Sequence, residues 1–457
     1  MNLIGLKSAP GLKIYRPGAM FCLLLMFSVA TDLQAERMTK KDIASITLSQ
    51  DGDAVEVLPV EEVELTLQTA AQLTLRHNPE LAAFDKEIRA LHGLTIQAGL
   101  LPNPVMQYDA EDISSRSNSP GARFDSIRIS QLFETGGKRS ARTRAAALGQ
   151  ETAEQDYAAR RLDLIARVAN VFLDVLAGQE RLKLALVGQD LAQKVVDAAE
   201  KRVMAGKAPP IEETRARVAL ATANIEVEQA QRNLISFRRQ LALLWGSHNP
   251  VFSNVTGELE TFVAIPELDE LETRLQQNPL ALRSLKNLEQ RQALFTLEKA
   301  RRIPDVTVNA GIRRYGHDIA HDTIALVGIS IPLPLFDRNQ GNLIAAQQRI
   351  NRAIDEQAAT DLQLKALLTQ AYESLIAADA QIGKLRDEIL PGAKETFRMA
   401  SRGYELGRFG FLELLDAQRT LFQNQTLYLQ ALANYQRLIN EVERLIAGPM
   451  EQVDDKR

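Results

Sequence analysis

The stretch RSARTRAAALGQETAEQDYAARRLDLIARVANVFLDVLAGQERLKLALVGQDLAQKVVDAAEKRVMA, Arg139 to Ala205, decides the fold. It contains no proline and three glycines, Gly149, Gly178 and Gly188. Two apolar seams run along it. One is Leu162, Ile165, Ala169, Phe172 and Leu176; the other is Leu164, Val168, Val171, Val175, Gly178, Leu182 and Ala185. Both step alternately by three and four, the spacing of a coiled-coil seam. Two neighbouring seams predict two neighbouring partner helices. At about 1.5 Å per residue such a helix spans roughly 100 Å, several times the width of a small domain.

Working outward, Gly206-Lys207-Ala208-Pro209-Pro210 ends this helix, and a return helix carries the seam Leu220, Ala223, Val227, Ala230, Leu234, Phe237, Leu241, Leu244 up to Trp245-Gly246. On the other side, Gly136-Gly137 precedes the long helix. Before it lie two strand-like runs, Val105 to Ile113 and Ala122 to Phe133, parted by the Ser/Asn/Pro/Gly-rich loop Ser114 to Gly121. Earlier still, a helix begins at Leu65, breaks at Asn78-Pro79, resumes to Ala98 and is stopped by Pro102 and Pro104.

The same punctuation then returns. Asn278-Pro279 follows Asn78-Pro79 by two hundred residues, and Ile329-Ser330 follows Ile129-Ser130 by the same offset. Pro304 repeats Pro102, and the runs Asp305 to Tyr315 and Asp322 to Leu333 repeat the strand pair. A long helix is expected from Asn339 to Leu390, with a turn at Pro391-Gly392 and a continuation to Leu406. Gly407, Ala417 and Leu421 match Gly206, Ala216 and Leu220. The last helix has the seam Leu414, Gln418, Leu421, Gln425, Tyr428, Leu432, Tyr435, Ile439, Val442, Ile446, whose two glutamines face either a partner or water. The chain therefore reads as one unit in tandem: helix, strand, strand, long helix, hairpin, helix. Expected divisions are a signal peptide over 1–35, an extended segment over 36–64, a first repeat over 65–247, a linker over 248–265, a second repeat over 266–448 and a tail over 449–457.

Composition agrees with long helices. Of 457 residues only 5% are aromatic, and the net charge of −4 gives no electrostatic footprint for nucleic acid. Lys13 and Arg16 precede the apolar run Met20 to Ala30, too short to span a bilayer, with a plausible cut after Ala35 or Ala30. That pattern predicts export. Cys22, the only cysteine, lies inside the apolar run, and Ala19-Met20-Phe21 before it makes no convincing lipidation site. The expected mature chain has no thiolate for a metal or a disulfide.

Val306, Val308, Ala310 and Ile312 alternate with Thr307, Asn309, Gly311 and Arg313, and Ala325, Val327, Ile329 and Ile331 alternate with Ile324, Leu326, Gly328 and Ser330. Period-2 runs of about ten residues suit strands in a membrane, apolar outward and polar or small inward. A soluble sheet packed on the helices is the other reading. If the strands are membranous, four cannot close, because closure takes at least about eight strands. Several copies must then join, and their long helices must gather into a cylinder in which each has a neighbour on both sides.

The segments ISQLFETGGKR (129–139), ISIPLPLFDRNQG (329–341) and RGYELGRFGFLELLD (402–416) resemble signatures of the TolC-type outer-membrane efflux proteins, in their cobalt–zinc–cadmium (CzcC-like) branch. The resemblance covers residues 65 to 447. It implies a homotrimer in the cell outer membrane, in contact with lipid, with a twelve-stranded barrel continuous with a periplasmic α-helical barrel. It implies docking to a periplasmic adaptor and an inner-membrane, proton-driven RND pump, for which the chain is a passive exit duct for divalent heavy-metal cations. A channel of the same fold for drugs or secreted proteins, and a periplasmic coiled-coil scaffold without a pore, are the alternatives.

Both hairpin turns lie at the far ends of long helices and are expected to form the periplasmic tip. The candidate docking and gating residues are Arg202, Gly206 and Pro209 in the first, and Arg402, Gly403, Glu405, Gly407, Arg408, Gly410, Leu412 and Asp416 in the second. Gly407 and Gly410 are expected to allow the reversal, and Phe411, Leu412 and Leu415 to leave apolar surface uncovered. Arg402, Glu405, Arg408 and Asp416 are expected to hold neighbouring helices shut. Gly136, Gly137, Lys138, Pro332, Pro334 and Gly341 mark the strand–helix junctions.

No catalytic set emerges, and neither an enzyme activity nor a cofactor is expected. His317, Asp318, His321 and Asp322 form an H-D-x-x-H-D cluster, but in a predicted loop their spacing loses its geometric meaning, and a solvated loop is the expectation.

Overall fold

A computed structural model describes residues 65–111, 124–250, 252–315 and 322–450. The expected signal segment, the extended lead-in and the His317–His321 cluster, all but Asp322, lie outside them. The first half runs β1 (Leu65–Thr66), α1 (Leu67–His77), α2 (Pro79–Ala98), β2 (Val105–Glu111), β3 (Phe124–Phe133), α3 (Lys138–Met204) and α4 (Pro210–Leu243). After β4 (Val255–Thr256), the second half runs α5 (Leu268–Arg274), a 3₁₀ turn over Leu275–Gln277, α6 (Pro279–Ala300), β5 (Val306–Tyr315) and β6 (Asp322–Ser330). It ends with α7 (Gln340–Lys384), α8 (Leu390–Glu405) and α9 (Phe411–Ile446).

The two proline breaks are built alike. Asn78 caps α2, its Oδ1 accepting from the N–H groups of Glu80 (2.9 Å) and Leu81 (3.2 Å), with Pro79 in the first turn where no N–H is needed. Asn278 caps α6 in the same way through Leu280 N at 2.8 Å.

Along α3 both seams find partners. Near the strands it runs between α2 and α6, where Ala145, Leu148 and Ala293 form a small core. Towards its other end it lies between α4 and α9. A Cβ on Gly178 would stand 3.2 Å from the Phe237 ring of α4, and one on Gly188 3.2 Å from the Phe422 ring of α9, so the helices approach closely at both glycines. Between these regions Val168, Phe172, Val175 and Leu176 join the main core with Leu241, Leu368, Leu375 and Tyr435.

Strands pair antiparallel in the order β2-β3-β5-β6, without a slip in register. The halves meet at β3 and β5, which leaves β2 and β6 as edges among the described residues.

Three expectations need correction. The first helix starts at Leu67, not Leu65, because Leu65 and Thr66 pair in parallel with Val255 and Thr256 and Thr66 caps the helix. The linker over 248–265 packs tightly: Phe252, Val255 and Leu259 are buried in the main core, and Gln179 bonds both the N–H and the C=O of Val255. Pro391-Gly392 makes no turn. The helix passes through, because Leu385–Ile389 widens to a π-turn and so absorbs the N–H that Pro391 lacks and the clash its ring would make with the preceding turn.

Candidate functional site

Each hairpin closes its long helix with a left-handed glycine. In the first, Gly206 has φ 67° and Lys207 N donates to Arg202 O at 2.8 Å; in the second, Gly407 has φ 70° and Arg408 N donates to Gly403 O at 2.7 Å. These are matching Schellman closures. Pro209 then caps α4 in extended conformation. Neither Gly206 nor Gly407 is crowded, so the positive φ is what requires them.

Gly410 does not make the reversal: its φ of −79° suits any residue, and it serves as N-cap of α9. Gly403 is needed for a different reason, since a Cβ there would stand 2.1 Å from the Phe409 ring. Nor does Phe411 lie uncovered. It is 3% exposed, because its ring meets Tyr404 at 5.8 Å and 60° inside a core of Val195, Val196, Ala199, Ala216 and Leu414. Leu415 is partly covered by the same core, and Leu412 stays 59% exposed. Arg402, Glu405, Arg408 and Asp416 are exposed, and no ion pair among the described residues engages them.

What joins the two hairpins is a chain through Tyr404. Arg202 Nη1 donates to Tyr404 O, and the guanidinium carbon lies 4.3 Å from the centre of the Tyr404 ring. Tyr404 Oη donates to Glu212 Oε2 at 3.0 Å. Burial, then the Glu212 carboxylate, push the Tyr404 hydroxyl up to about 12, so it stays a donor at any ordinary pH. Beside it Arg217 ties Glu213 of α4 to Glu200 of α3. Tyr404 and Glu212 escaped the sequence reading because 192 residues separate them and no spacing rule connects such a pair.

At the other end of the long helices, Asp305 gathers the first strand–helix junction. Its Oδ1 accepts from Lys138 Nζ at 2.7 Å and from Thr135 N at 2.9 Å. Burial pushes its carboxyl up, but Lys138 and the Thr135 N–H outweigh that and hold it below the usual carboxylate range. Gly136 and Gly137 are left-handed (φ 67° and 74°), and a Cβ on Gly136 would stand 2.7 Å from Ile303 Cδ1. Arg139 and Arg142 donate to Gly99 O and Ala98 O, capping the end of α2, and Arg142 also grips Glu134. In the second junction Asn339 takes the left-handed position (φ 60°) and its Nδ2 bonds Glu298. Pro332 and Pro334 keep the segment after β6 out of the sheet, and Leu333, Leu335 and Phe336 around them are exposed. Gly341 is uncrowded and its φ is not positive.

The sheet has two unlike faces. Met106, Tyr108, Ile127, Ile129, Phe133, Ile312, Val327 and Ile329 share one face and are all exposed. The other carries Gln107, Asp109, Glu111, Ser126, Arg128, Ser130, Asn309 and Arg313, with Val105, Leu132, Ile324 and Leu326 among them, as Asp125, Gln131 and Arg314 lie among the apolar residues of the first. Exposed apolar residues also mark both flanks of the helix row: Ile211, Val218 and Ile225 on α4, seven residues apart, and Met399 and Leu406, again seven apart, on the segment from α8 into its turn. Among the described residues no group of His, Cys, Asp and Glu is placed to hold a metal ion, and no helix is long and apolar enough to cross a membrane.

Residues 70–247 and 271–448 each match the sequence model of the outer membrane efflux proteins. The cobalt-zinc-cadmium resistance protein CzcC of Cupriavidus metallidurans is 36% identical over 406 residues, 88% of this chain and 96% of that one. The nickel-cobalt-cadmium resistance protein NccC of Alcaligenes xylosoxydans xylosoxydans is 26% identical over 309 residues, 67% and 70% of the two chains. Among solved structures, the channel CusC superposes with a TM-score of 0.73 at 18% identity, covering 84% of this chain and 93% of that one.

Proposed function

The chain belongs to the outer membrane efflux protein family, and from that premise we propose that it is the outer-membrane duct of a tripartite efflux system for divalent heavy-metal cations. The metal cargo is carried over from the relatives whose names state cobalt, zinc, cadmium and nickel resistance. The observation that carries the channel reading is the sheet: two edges left open among the described residues, one face richer in exposed large apolar side chains and one on which most of the charged and amide side chains gather. In lipid an open edge leaves unpaired backbone groups at several kcal/mol each, so β2 of one copy pairs with β6 of the next. Three copies make twelve strands, apolar face to lipid and polar face to a water-filled lumen. The flanking stripes on α4 and α8 then meet between copies, and the helices close into a periplasmic cylinder.

In this reading the chain forms a homotrimer, with the two hairpin turns at the periplasmic end. There the exposed Leu412, Arg402, Glu405, Arg408 and Asp416 dock a periplasmic adaptor, which links the duct to a proton-driven RND pump in the inner membrane. Tyr404, held by Arg202 and Glu212, keeps the two hairpins of one copy together while the duct is closed. The chain itself catalyses nothing; the pump supplies the work.

The test is complementation. A metal-resistant host deleted for this chain alone, with adaptor and pump intact, becomes sensitive to zinc, cobalt and cadmium, and the plasmid-borne chain restores resistance. Unchanged metal resistance, together with loss of drug resistance in the same strain, would reassign the cargo and leave the duct.

A further inference from the structure

The polar face of the sheet carries a charge network at the loop ends of its strands, away from the helices. Across the register, Asp109 of β2 opposes Ser126 of β3 and Arg313 of β5, while Gln107 opposes Arg128 and Gly311, so all of these share one face. Both arginines reach towards the edge strand β2. Arg128 Nη2 donates to Asp109 Oδ2, and Arg313 Nη2 stands 3.8 Å from Glu111 Oε1. Gln107 Nε2 donates to Asp109 Oδ1 at 2.9 Å. A Cβ on Gly311 would stand 2.3 Å from the backbone oxygen of Ile127 and 2.7 Å from Arg128 Cγ, so only glycine lets β3 and the arginine stem approach this closely. Phe124 supports Arg313, whose guanidinium carbon lies 4.6 Å from the ring centre. Beside them Ser126 is 1% exposed.

We propose that these four charges, Asp109, Glu111, Arg128 and Arg313, set the ion selectivity of the lumen at its outer end. The inference rests on the channel reading above, which turns this face towards water. Rings of charged side chains decide which ions a pore admits, and here the carboxylates and guanidiniums are equal in number and paired. All four keep part of their surface, from 26% for Arg313 to 52% for Glu111, so a passing ion meets them. Because Arg128 and Gln107 occupy the two oxygens of Asp109 and the Arg313 charge stands 3.8 Å from Glu111, a cation meets a locally neutral surface and does not lodge there. Removing the arginines uncovers two carboxylates per chain, within two residues of each other on one strand face, and turns the same place into a cation trap and filter.

The experiment is single-channel recording of the full-length protein in planar lipid bilayers under a KCl gradient, reading the K⁺ to Cl⁻ permeability ratio. The wild-type ratio is expected within about twofold of unity, R128Q/R313Q is expected to raise it about threefold or more, and E111Q to lower it about twofold. The charge-neutral pair D109N/R128Q keeps the wild-type ratio, which a merely structural disturbance would not do. Pores whose ratio is moved by neither R128Q/R313Q nor E111Q overturn the inference and leave the channel intact. Folded protein that opens no pore either as wild type or with the hairpins loosened by Tyr404→Phe overturns the channel reading and this inference with it. If R128Q/R313Q does not insert, E111Q decides alone, because Glu111 is half exposed and has only the 3.8 Å contact to lose.

Discussion

Asn78 and Asn278 make the same pair of bonds in the two halves of the chain. Each caps the helix that follows it, and each donates through Nδ2 to the end of its half's last helix: Asn78 to Leu244 O at 2.8 Å, Asn278 to Leu445 O at 2.8 Å. One side chain thus satisfies orphan groups on two helix ends at once, an N–H on one and a C=O on the other. The duplication is therefore visible in bonding as well as in order of elements.

Replacing either asparagine by Ala removes a cap worth about 1 kcal/mol and a bond to a helix end worth about as much again. Asn78→Ala and Asn278→Ala are each expected to lower the temperature of thermal unfolding in detergent by a few degrees. Asn278→Ala costs more, because Asn278 is the more buried of the two, at 2% exposed against 9%. Differential scanning fluorimetry reads both.

Tyr404→Phe keeps the ring against Phe411 and Arg202 but loses the bond to Glu212. The two hairpins are then held about 1 kcal/mol less firmly. Cysteines placed at Lys207 and Arg408, one in each turn, are expected to crosslink less in this variant while the assembled protein survives.

The same tyrosine gives a pH dependence. Its hydroxyl titrates at about 12 in the folded chain, against 10.0 for an unperturbed tyrosine. The folded state therefore keeps a proton that the unfolded state releases, so stability is fully present below pH 10 and falls as pH rises towards 12. Tyr404→Phe is expected to remove that part of the alkaline loss, measured as unfolding midpoint against pH.

The glycines of the second hairpin separate by cause. Gly407→Ala meets only an unfavourable φ, roughly 1–2 kcal/mol, and no second mutation relieves it. Gly403→Ala collides with Phe409 and is expected to regain stability when combined with Phe409→Ala. Gly410→Ala is tolerated, since only the end of the flexible Glu413 side chain lies in its way. Yields of assembled protein and unfolding midpoints rank the three.

Val218 and Met399 lie on opposite flanks of the helix row and are both exposed. In the trimer reading they are buried between copies. Val218→Glu and Met399→Glu are expected to weaken the trimer in detergent, seen by size-exclusion chromatography with light scattering, while helix content by circular dichroism stays unchanged.

Much of the architecture was legible in the chain because it rests on period. The stepping of Leu164, Val168, Val171 and Val175 requires a long helix with a seam, and the alternation from Val306 to Arg313 requires a two-faced strand, whatever lies around them. The repeated Asn-Pro and Gly punctuation likewise reports local geometry. Three-dimensional packing decided the rest. That Tyr404 reaches Glu212, that Lys138 meets Asp305 and that both arginines of the sheet lean on β2 depend on how distant elements are brought together, and neither propensity nor spacing encodes it. Packing also overruled local rules. Pro391 reads as a break, yet the apolar contacts of α7, α8 and α9 on either side stabilise a continuous helix by more than one widened turn costs. Phe411 reads as exposed beside a turn, yet Tyr404 of the same hairpin and Val195, Val196, Ala199 and Ala216 of the other cover it, because an aromatic ring left in water costs more than the ordering of one side chain.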